Sequence, residues 1–236
     1  MSKRQIWCVI AAAGAGRRMG ADRPKQYLPL SGRMVIEHSL EKLCGHPKVA
    51  GVTVAVAQDD PWWESVRFPG VTAPRRCQGG GERYQSVLNA LASLSEHGAE
   101  ADDWVLVHDA VRPCVRRKDV DRLISEGGAH SVGGVLGVPV RDTMKRVDAE
   151  NNVEETVSRD GLWHALTPQM FRLGALTKAL DRAQKDGVNV TDEAQAVERT
   201  GAFPRMVEGH YDNLKITTST DLALAELYLL AQERGV

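Results

Sequence analysis

Ile6-Trp7-Cys8-Val9-Ile10-Ala11 runs directly into Ala12-Ala13-Gly14-Ala15-Gly16-Arg17-Arg18-Met19-Gly20, and Pro24-Lys25-Gln26 follows. The first six residues are an unbroken apolar run, the pattern of a strand covered on both faces. The small residues and glycines after it let backbone N–H groups approach a phosphate or a base edge. Arg18 and Lys25 can set positive charge over the phosphates. The loop matches neither common phosphate-binding fingerprint. A dinucleotide-binding turn would need glycine where Met19 stands, and the triphosphate loop of P-loop enzymes would need Gly-Lys followed by Ser or Thr. It is a glycine-rich loop of a third kind, to be weighed against a plain tight turn with solvated basic residues.

Working outward, short Val-rich runs alternate with helical patterns. Val49–Ala57, Val71–Arg76, Trp104–His108 and Val132–Val138 join Ile6–Ala11 as expected strands. Ile36, Leu40, Leu43 and Cys44 form one helical stripe, and Val87, Leu88, Leu91 and Leu94 another. The segment Thr220–Arg234 opens with residues that can cap a helix and sets Leu222, Leu229 and Leu230 on one side. Strand–helix alternation predicts right-handed crossovers and a mostly parallel sheet. Ligands of such sheets lie beyond the carboxyl ends of the strands. Pro139–Val157 breaks the pattern: it is too polar for a core strand pair and long for a loop. It reads as a protruding β-arm, with a disordered insertion as the alternative.

At 236 residues the chain suits a single α/β domain spanning residues 1–236, with the arm at about 139–158. Thirty basic residues nearly cancel thirty-one acidic ones, so no broad nucleic-acid or membrane-binding surface is expected, and any anion site must be built locally. The four cysteines, Cys8, Cys44, Cys77 and Cys114, lack zinc or redox spacing, and Cys8 and Cys44 read as core residues. The basic start at Lys3 and Arg4 ahead of the apolar run resembles a secretion signal, but the run is near the shortest such signals use. It is read as the first strand, and the expected location is cytoplasmic.

Three further constellations carry chemistry. Gln78-Gly79-Gly80-Gly81-Glu82-Arg83 precedes a helix containing Ser86, and a triple glycine is plausible where backbone must touch a ligand. Val105-Leu106-Val107-His108-Asp109-Ala110-Val111-Arg112-Pro113 places Asp109 at the mouth of the sheet. One carboxylate there suits Mg²⁺ when a triphosphate supplies the other oxygens. His108 reads as a satisfied structural histidine rather than a catalytic one. The third set is scattered: Thr143, Arg159, Thr167, Thr191-Asp192 and Asp212-Asn213-Leu214-Lys215, in which cations with hydroxyl partners suit a phosphomonoester.

Taken in order, AAAGAGRRM, PKQYL, GGGERYQSVLNAL, VLVHDAVRP, PVRDTMKR, RDGLWHALTPQ, TDEAQAVE and DNLKITT resemble the 2-C-methyl-D-erythritol 4-phosphate cytidylyltransferase family, within the nucleotide-diphospho-sugar transferases. The resemblance runs from about residue 6 to the C-terminus. Departures are small: Ala11 stands where proline is frequent, Gly81 where aspartate is common, and Val111 where alanine is usual. The resemblance implies a Rossmann-like three-layer α/β sandwich and a homodimer with crossed β-arms. It implies that CMP passes from CTP to 2-C-methyl-D-erythritol 4-phosphate, with Arg18 and Lys25 stabilising charge at the α-phosphate. Arg159 and Lys215 would position the incoming phosphate. Ala12, Ala13, Gly80, Gly81 and Ser86 would hold cytidine, with Gly14 and Gly16 in the same loop, and Asp109 would hold Mg²⁺. Arg112, Thr167 and Thr191 would bind substrate, with the Thr191 region lining the acceptor pocket, and Thr143 and Arg159 would come from the partner's arm. The competing readings are a cytidylyltransferase for another polyol phosphate such as ribitol 5-phosphate, a non-catalytic nucleotide-binding protein, and a nicotinamide-dependent oxidoreductase disfavoured by Met19.

Overall fold

The computed structural model of the protein describes residues 4–14, 23–68 and 70–235. Strand β1 (Ile6–Ala11) lies inside a seven-stranded sheet. Its parallel neighbours are β4 (Gly51–Val56) and β6 (Trp104–Asp109), and β5 (Arg75–Gln78) closes that edge beside β4. On the other side of β6 come β10 (Trp163–Arg172), β7 (Gly133–Pro139) and β11 (Arg205–Glu208). β10 is antiparallel to both β6 and β7, and every other pairing in the sheet is parallel. Two short pairs stand outside the sheet: β2 (Pro29–Leu30) with β3 (Arg33–Met34), and β8 (Met144–Val147) with β9 (Val153–Val157).

Side-chain alternation along the strands builds the three layers. From β1, Cys8 and Ile10 point to one face and meet α1 (Val35–Cys44) and α3 (Arg117–Ala129) through Ile36, Leu40, Leu43, Val120 and Leu123. Trp7 and Val9 point to the other face and meet α2 (Arg83–Glu96), α4 (Leu173–Lys185) and α5 (Glu193–Glu198) through Leu91, Leu94, Leu176, Leu180 and Val197. A smaller cluster joins α6 (Ser219–Glu233) to the β2–β3 hairpin through Leu30, Val35, Ile216, Ala225 and Leu229.

The three-layer fold agrees with the expectation, and several particulars differ. The strand expected at Val71–Arg76 begins only at Arg75, because Pro74 supplies no N–H and restricts its predecessor. Strands β10 and β11 and helices α3, α4 and α5 were not anticipated. On α6 the inward face is Leu222, Ala225 and Leu229, while Leu230 is exposed. Cys8 is a core residue as expected, but Cys44 is only partly buried, and all four cysteines are free thiols. The Pro139–Val157 segment folds as a two-stranded arm, with Met144 paired to Val157 and Val147 to Val153.

Asp103 pins the start of this sheet. Its buried carboxylate accepts hydrogen bonds from Gln5 N at 2.8 Å, Trp7 Nε1 at 3.0 Å and Glu100 N at 3.0 Å, and its carbonyl accepts from Leu173 N. It thereby ties β1, the α2–β6 loop and the start of α4. Asp103→Ala strands three donors, and urea denaturation is expected to show a loss of about 3 kcal/mol. A loss under about 1 kcal/mol would mean that water replaces the carboxylate without penalty.

Candidate functional site

The carboxyl ends of β1 and β6 open onto a cavity of about 830 Å³. The β1 end gives Ala12, Ala13 and Gly14, and the loop before α2 gives Gly80 and Gly81. Lys25 and Gln26 enter from a single 3₁₀ turn, Lys25–Tyr27, and Lys215 from the loop before α6. Gly16 and Arg18 lie outside the described residues.

The glycine-rich segment before α2 is shaped by its own neighbours. A Cβ on Gly79 would come within 2.3 Å of the Ala13 Cβ, and one on Gly80 within 2.4 Å of the Gln85 Cβ. Gly81 meets nothing closer than 3.4 Å. Gly79 and Gly80 therefore answer to packing of the chain on itself, while Gly80 and Gly81 both line the cavity. Ser86 Oγ accepts from Gly80 N at 3.0 Å and fixes this loop from within α2. Gln26 fixes the other loop: it is buried, and its Nε2 donates to Ala12 O at 2.7 Å and Gly14 O at 3.2 Å. Because a trans peptide sets C=O and the next N–H in opposite directions, these bonds also fix where the N–H of Ala13 points.

Asp109 sits where this cavity adjoins a second one of about 270 Å³. Its Oδ1 accepts from Arg83 Nε at 2.9 Å, and its Oδ2 lies 2.9 Å from Lys215 Nζ and 3.7 Å from Arg112 Nε. Burial alone would raise this carboxyl, but the three cations overcome it and hold the group far below the usual carboxylate range. Arg83 is anchored in turn by Glu193, whose two oxygens accept from Nη1 at 2.6 Å and Nη2 at 3.1 Å. Burial works against the Arg83 charge, yet Glu193 and Asp109 together raise its pKa above the ordinary arginine value.

The second cavity is walled by Arg112, Thr167, Thr191 and Lys215, together with Arg83 and Asp109. Thr167 Oγ1 accepts from Asp109 N at 3.1 Å and lies 3.0 Å from His108 Nδ1. The Thr167–Pro168 peptide is cis. The start of α5 is locked to β10: Gln169 Nε2 donates to Asp192 Oδ2, and Gln169 Oε1 accepts from Ala194 N. Thr191 is exposed, with its N–H on Gln195 Oε1. Thr143 and Arg159 are exposed on and beside the arm, and neither lines either of these two cavities.

The sequence reading passed over Gln26, Arg83 and Glu193 as site residues. Gln26 and Arg83 stand inside motifs already marked, so their neighbours were the available signal. Glu193 too stands inside a marked segment, TDEAQAVE, but an acid in the first turn of a helix reads as a solvated dipole partner, and its ion pair spans 110 positions. His108 takes the structural role expected of it. Wholly buried between Thr167 and the carbonyl of Arg112, it lines neither cavity.

A family model described as 2-C-methyl-D-erythritol 4-phosphate cytidylyltransferase matches residues 6–231. The chain is 54% identical over 217 residues to a protein of that name from Pseudomonas putida (strain GB-1), covering 92% of each chain. It is 55% identical to one from Pseudomonas aeruginosa, covering 92% of this chain and 93% of the relative. Among solved structures, a protein of the same name from Francisella tularensis superposes with a TM-score of 0.81 at 37% identity, covering 95% of this chain and 99% of that one.

Burial keeps His108 neutral, with its pKa pushed down from 6.5 to about 4. Unfolded chains therefore bind the extra proton between those two values, and stability falls as pH falls through that window, by about 3 kcal/mol in all. Denaturation curves from pH 7 to pH 4 are expected to show this slope and to lose it in His108→Gln. An equal slope in both proteins would place its origin elsewhere.

Proposed function

The chain belongs to the 2-C-methyl-D-erythritol 4-phosphate cytidylyltransferase family, and from that premise we infer how its residues serve the reaction, in which CMP passes from CTP to 2-C-methyl-D-erythritol 4-phosphate and pyrophosphate leaves. The observation that carries the assignment of roles is the pair of adjoining cavities with Arg83, Asp109 and Lys215 in their shared wall. A donor and an acceptor can lie side by side across that wall.

The larger cavity suits CTP. Ala12, Ala13, Gly80 and Gly81 give it small-residue walls that accept a pyrimidine and crowd a purine, and Ser86 holds the glycine loop in shape. Lys25, with Arg18 of the same phosphate loop, stabilises charge developing at the α-phosphate. The smaller cavity suits the acceptor: Lys215 and Arg112 attract its phosphate, and Thr167 and Thr191 offer hydroxyls. The acceptor phosphate attacks the α-phosphorus in line with the departing pyrophosphate. A phosphate oxygen is already a nucleophile, so no serine, cysteine or general base has to be supplied. Catalysis reduces to positioning and to cations held ready in a partly dry site.

The residues also fit a divalent cation such as Mg²⁺. Among the described residues no cluster of three or more His, Cys, Asp or Glu is placed to hold a metal, so an all-protein cage is not what this site offers. One carboxylate beside a triphosphate is the arrangement Mg²⁺ prefers. Each Asp109 oxygen keeps acceptor capacity beyond the contacts it makes to Arg83 and Lys215. Bound by Asp109 and the phosphates, the cation would neutralise charge on the triphosphate.

The arm supports a crossed homodimer. It leaves the mouth end of β7, returns to the start of β10, and exposes Met144, Val147 and Val153. Buried against a second arm, those side chains would bring Thr143 and Arg159 to the neighbouring acceptor cavity. Among the described residues no helix is long and apolar enough to cross a membrane, and the proposed place of action is the cytoplasm.

Pyrophosphate release with a panel of nucleotides and polyol phosphates tests the assignment of the cavities. CTP is expected to exceed ATP and GTP by about 10²-fold or more in kcat/KM. Comparable turnover of a purine nucleotide, or a stronger preference for ribitol 5-phosphate as acceptor, would overturn it. Sharing of sites between chains has its own test. Arg159→Ala and Lys25→Ala homodimers are each expected to be nearly inactive. Two-fold symmetry gives a mixed dimer one doubly defective and one intact site, so about half of wild-type activity is expected to return. Verified mixed dimers without recovery would show that Arg159 serves its own chain.

A further inference from the structure

Glu193 is a fully buried carboxylate that lines neither cavity, yet it governs a side chain that lines both. Its ion pair among the described residues is with Arg83, through both guanidinium Nη atoms. The fork of Arg83 is thereby turned toward α5, and only the Nε edge remains for Asp109 Oδ1, at 2.9 Å. Guanidinium and carboxylate settle fork to fork when nothing prevents it. Without Glu193, the neighbouring anion available to that fork is Asp109 itself, and a fork-to-fork contact would cover both of its oxygens. With Glu193 in place, Oδ2 is left to Lys215 and the cavities. The charge count runs the same way: Asp109 and Glu193 together oppose Arg83, so the wall beside Asp109 carries less excess positive charge than an unpaired guanidinium would put there.

We propose that Glu193 is a positioning residue for the cation site, holding the fork of Arg83 away from Asp109 Oδ2, so that this oxygen, shared with Lys215 at 2.9 Å and Arg112 at 3.7 Å, keeps capacity for the divalent cation that accompanies the nucleotide. The proposal rests on the reading of Asp109 as the protein's ligand to that cation. Glu193 and Arg83 act through Asp109. The pair also joins the start of α5 to the start of α2 and so fixes the wall common to both cavities.

The test uses Mn²⁺ as the probe, titrated into the full chain with CTP and no acceptor, and reads free Mn²⁺ by its electron paramagnetic resonance signal, so that no turnover enters. Glu193→Gln keeps the shape and removes the charge, and it is expected to weaken Mn²⁺ binding about tenfold by releasing Arg83 onto Asp109. Should that variant not fold, Glu193→Asp, with a shorter reach, is expected to weaken binding about threefold and decides the same question. The double variant Arg83→Met, Glu193→Met removes the competitor together with its restraint. Apolar replacements of buried pairs are commonly tolerated, so its Mn²⁺ affinity is expected to return to within about threefold of wild type. A purely structural Glu193 predicts the opposite order, with the double variant at least as impaired as the single. Asp109→Asn serves as the reference. If it weakens Mn²⁺ and Glu193→Gln does not, the proposal fails alone. If Asp109→Asn binds Mn²⁺ as wild type does, the reading of Asp109 fails and the proposal with it.

Discussion

One buried charge organises the mouth of this sheet. Asp109 ends a strand whose six residues are all buried, and an ionised carboxylate there is tolerable only with cations and hydrogen bonds around it. Arg83, Lys215 and Arg112 supply the charge from three separate segments. Arg83, partly exposed where it lines both cavities, takes a second partner in Glu193 from a fourth segment. Three cations and two anions leave one positive charge in excess at the wall between two cavities. That local surplus suits a phosphate, and it stands in a chain whose charges nearly cancel overall.

The reversed strand gives this mouth its second half. Parallel strands all deliver their carboxyl ends to one edge, but β10 runs against β6 and β7, so its early residues arrive there instead. Thr167 thereby meets the backbone of Asp109, and Gln169 grips the start of α5. The same reversal places the arm, since the chain leaves β7 at Pro139 and must re-enter β10 at Trp163, whose register partner is Pro139 itself. An excursion that begins and ends at the mouth can project only outward from it, which is where a second chain would be met.

Much of this could be read from the residues. The strands β1, β4, β6 and β7 and the helices α1 and α2 are set by apolar runs and stripes, and local pattern suffices for them. β10 hid because its sequence Trp163–Arg172 carries a proline, two polar residues of the site and a register shift near Ala165, all of which disguise a strand. Leu230 was misplaced because a helix carrying Leu224, Leu227 and Leu230 on its exposed side offers no clean polar face to orient it. The glycines carry a second constraint that the sequence did not show: Gly80 and Gly81 line the cavity, and Gly79 and Gly80 are also required by Ala13 and Gln85. Nothing local could reveal the pairing of Arg83 with Glu193, because ion pairs between distant segments leave no periodicity behind.

The arrangement also bears on how such a site avoids reorganising when substrates bind. A lysine or arginine aimed into an empty cavity would be solvated and mobile, and fixing it at the moment of reaction would cost several rotors. Here Lys215 rests on Asp109 and Arg83 on Glu193, so both cations are already paired in a partly dry setting. The two restraints differ in kind. Lys215 is 39% exposed and held by a single contact, whereas Glu193 is sealed and grips its partner twice. On the proposed reading, an incoming anion would exchange places with Asp109 on Lys215 more readily than it would displace Glu193 from Arg83. On that reading the site separates a cation that can turn to substrate from one that keeps the carboxylate in place, and the difference follows from exposure and from the number of contacts.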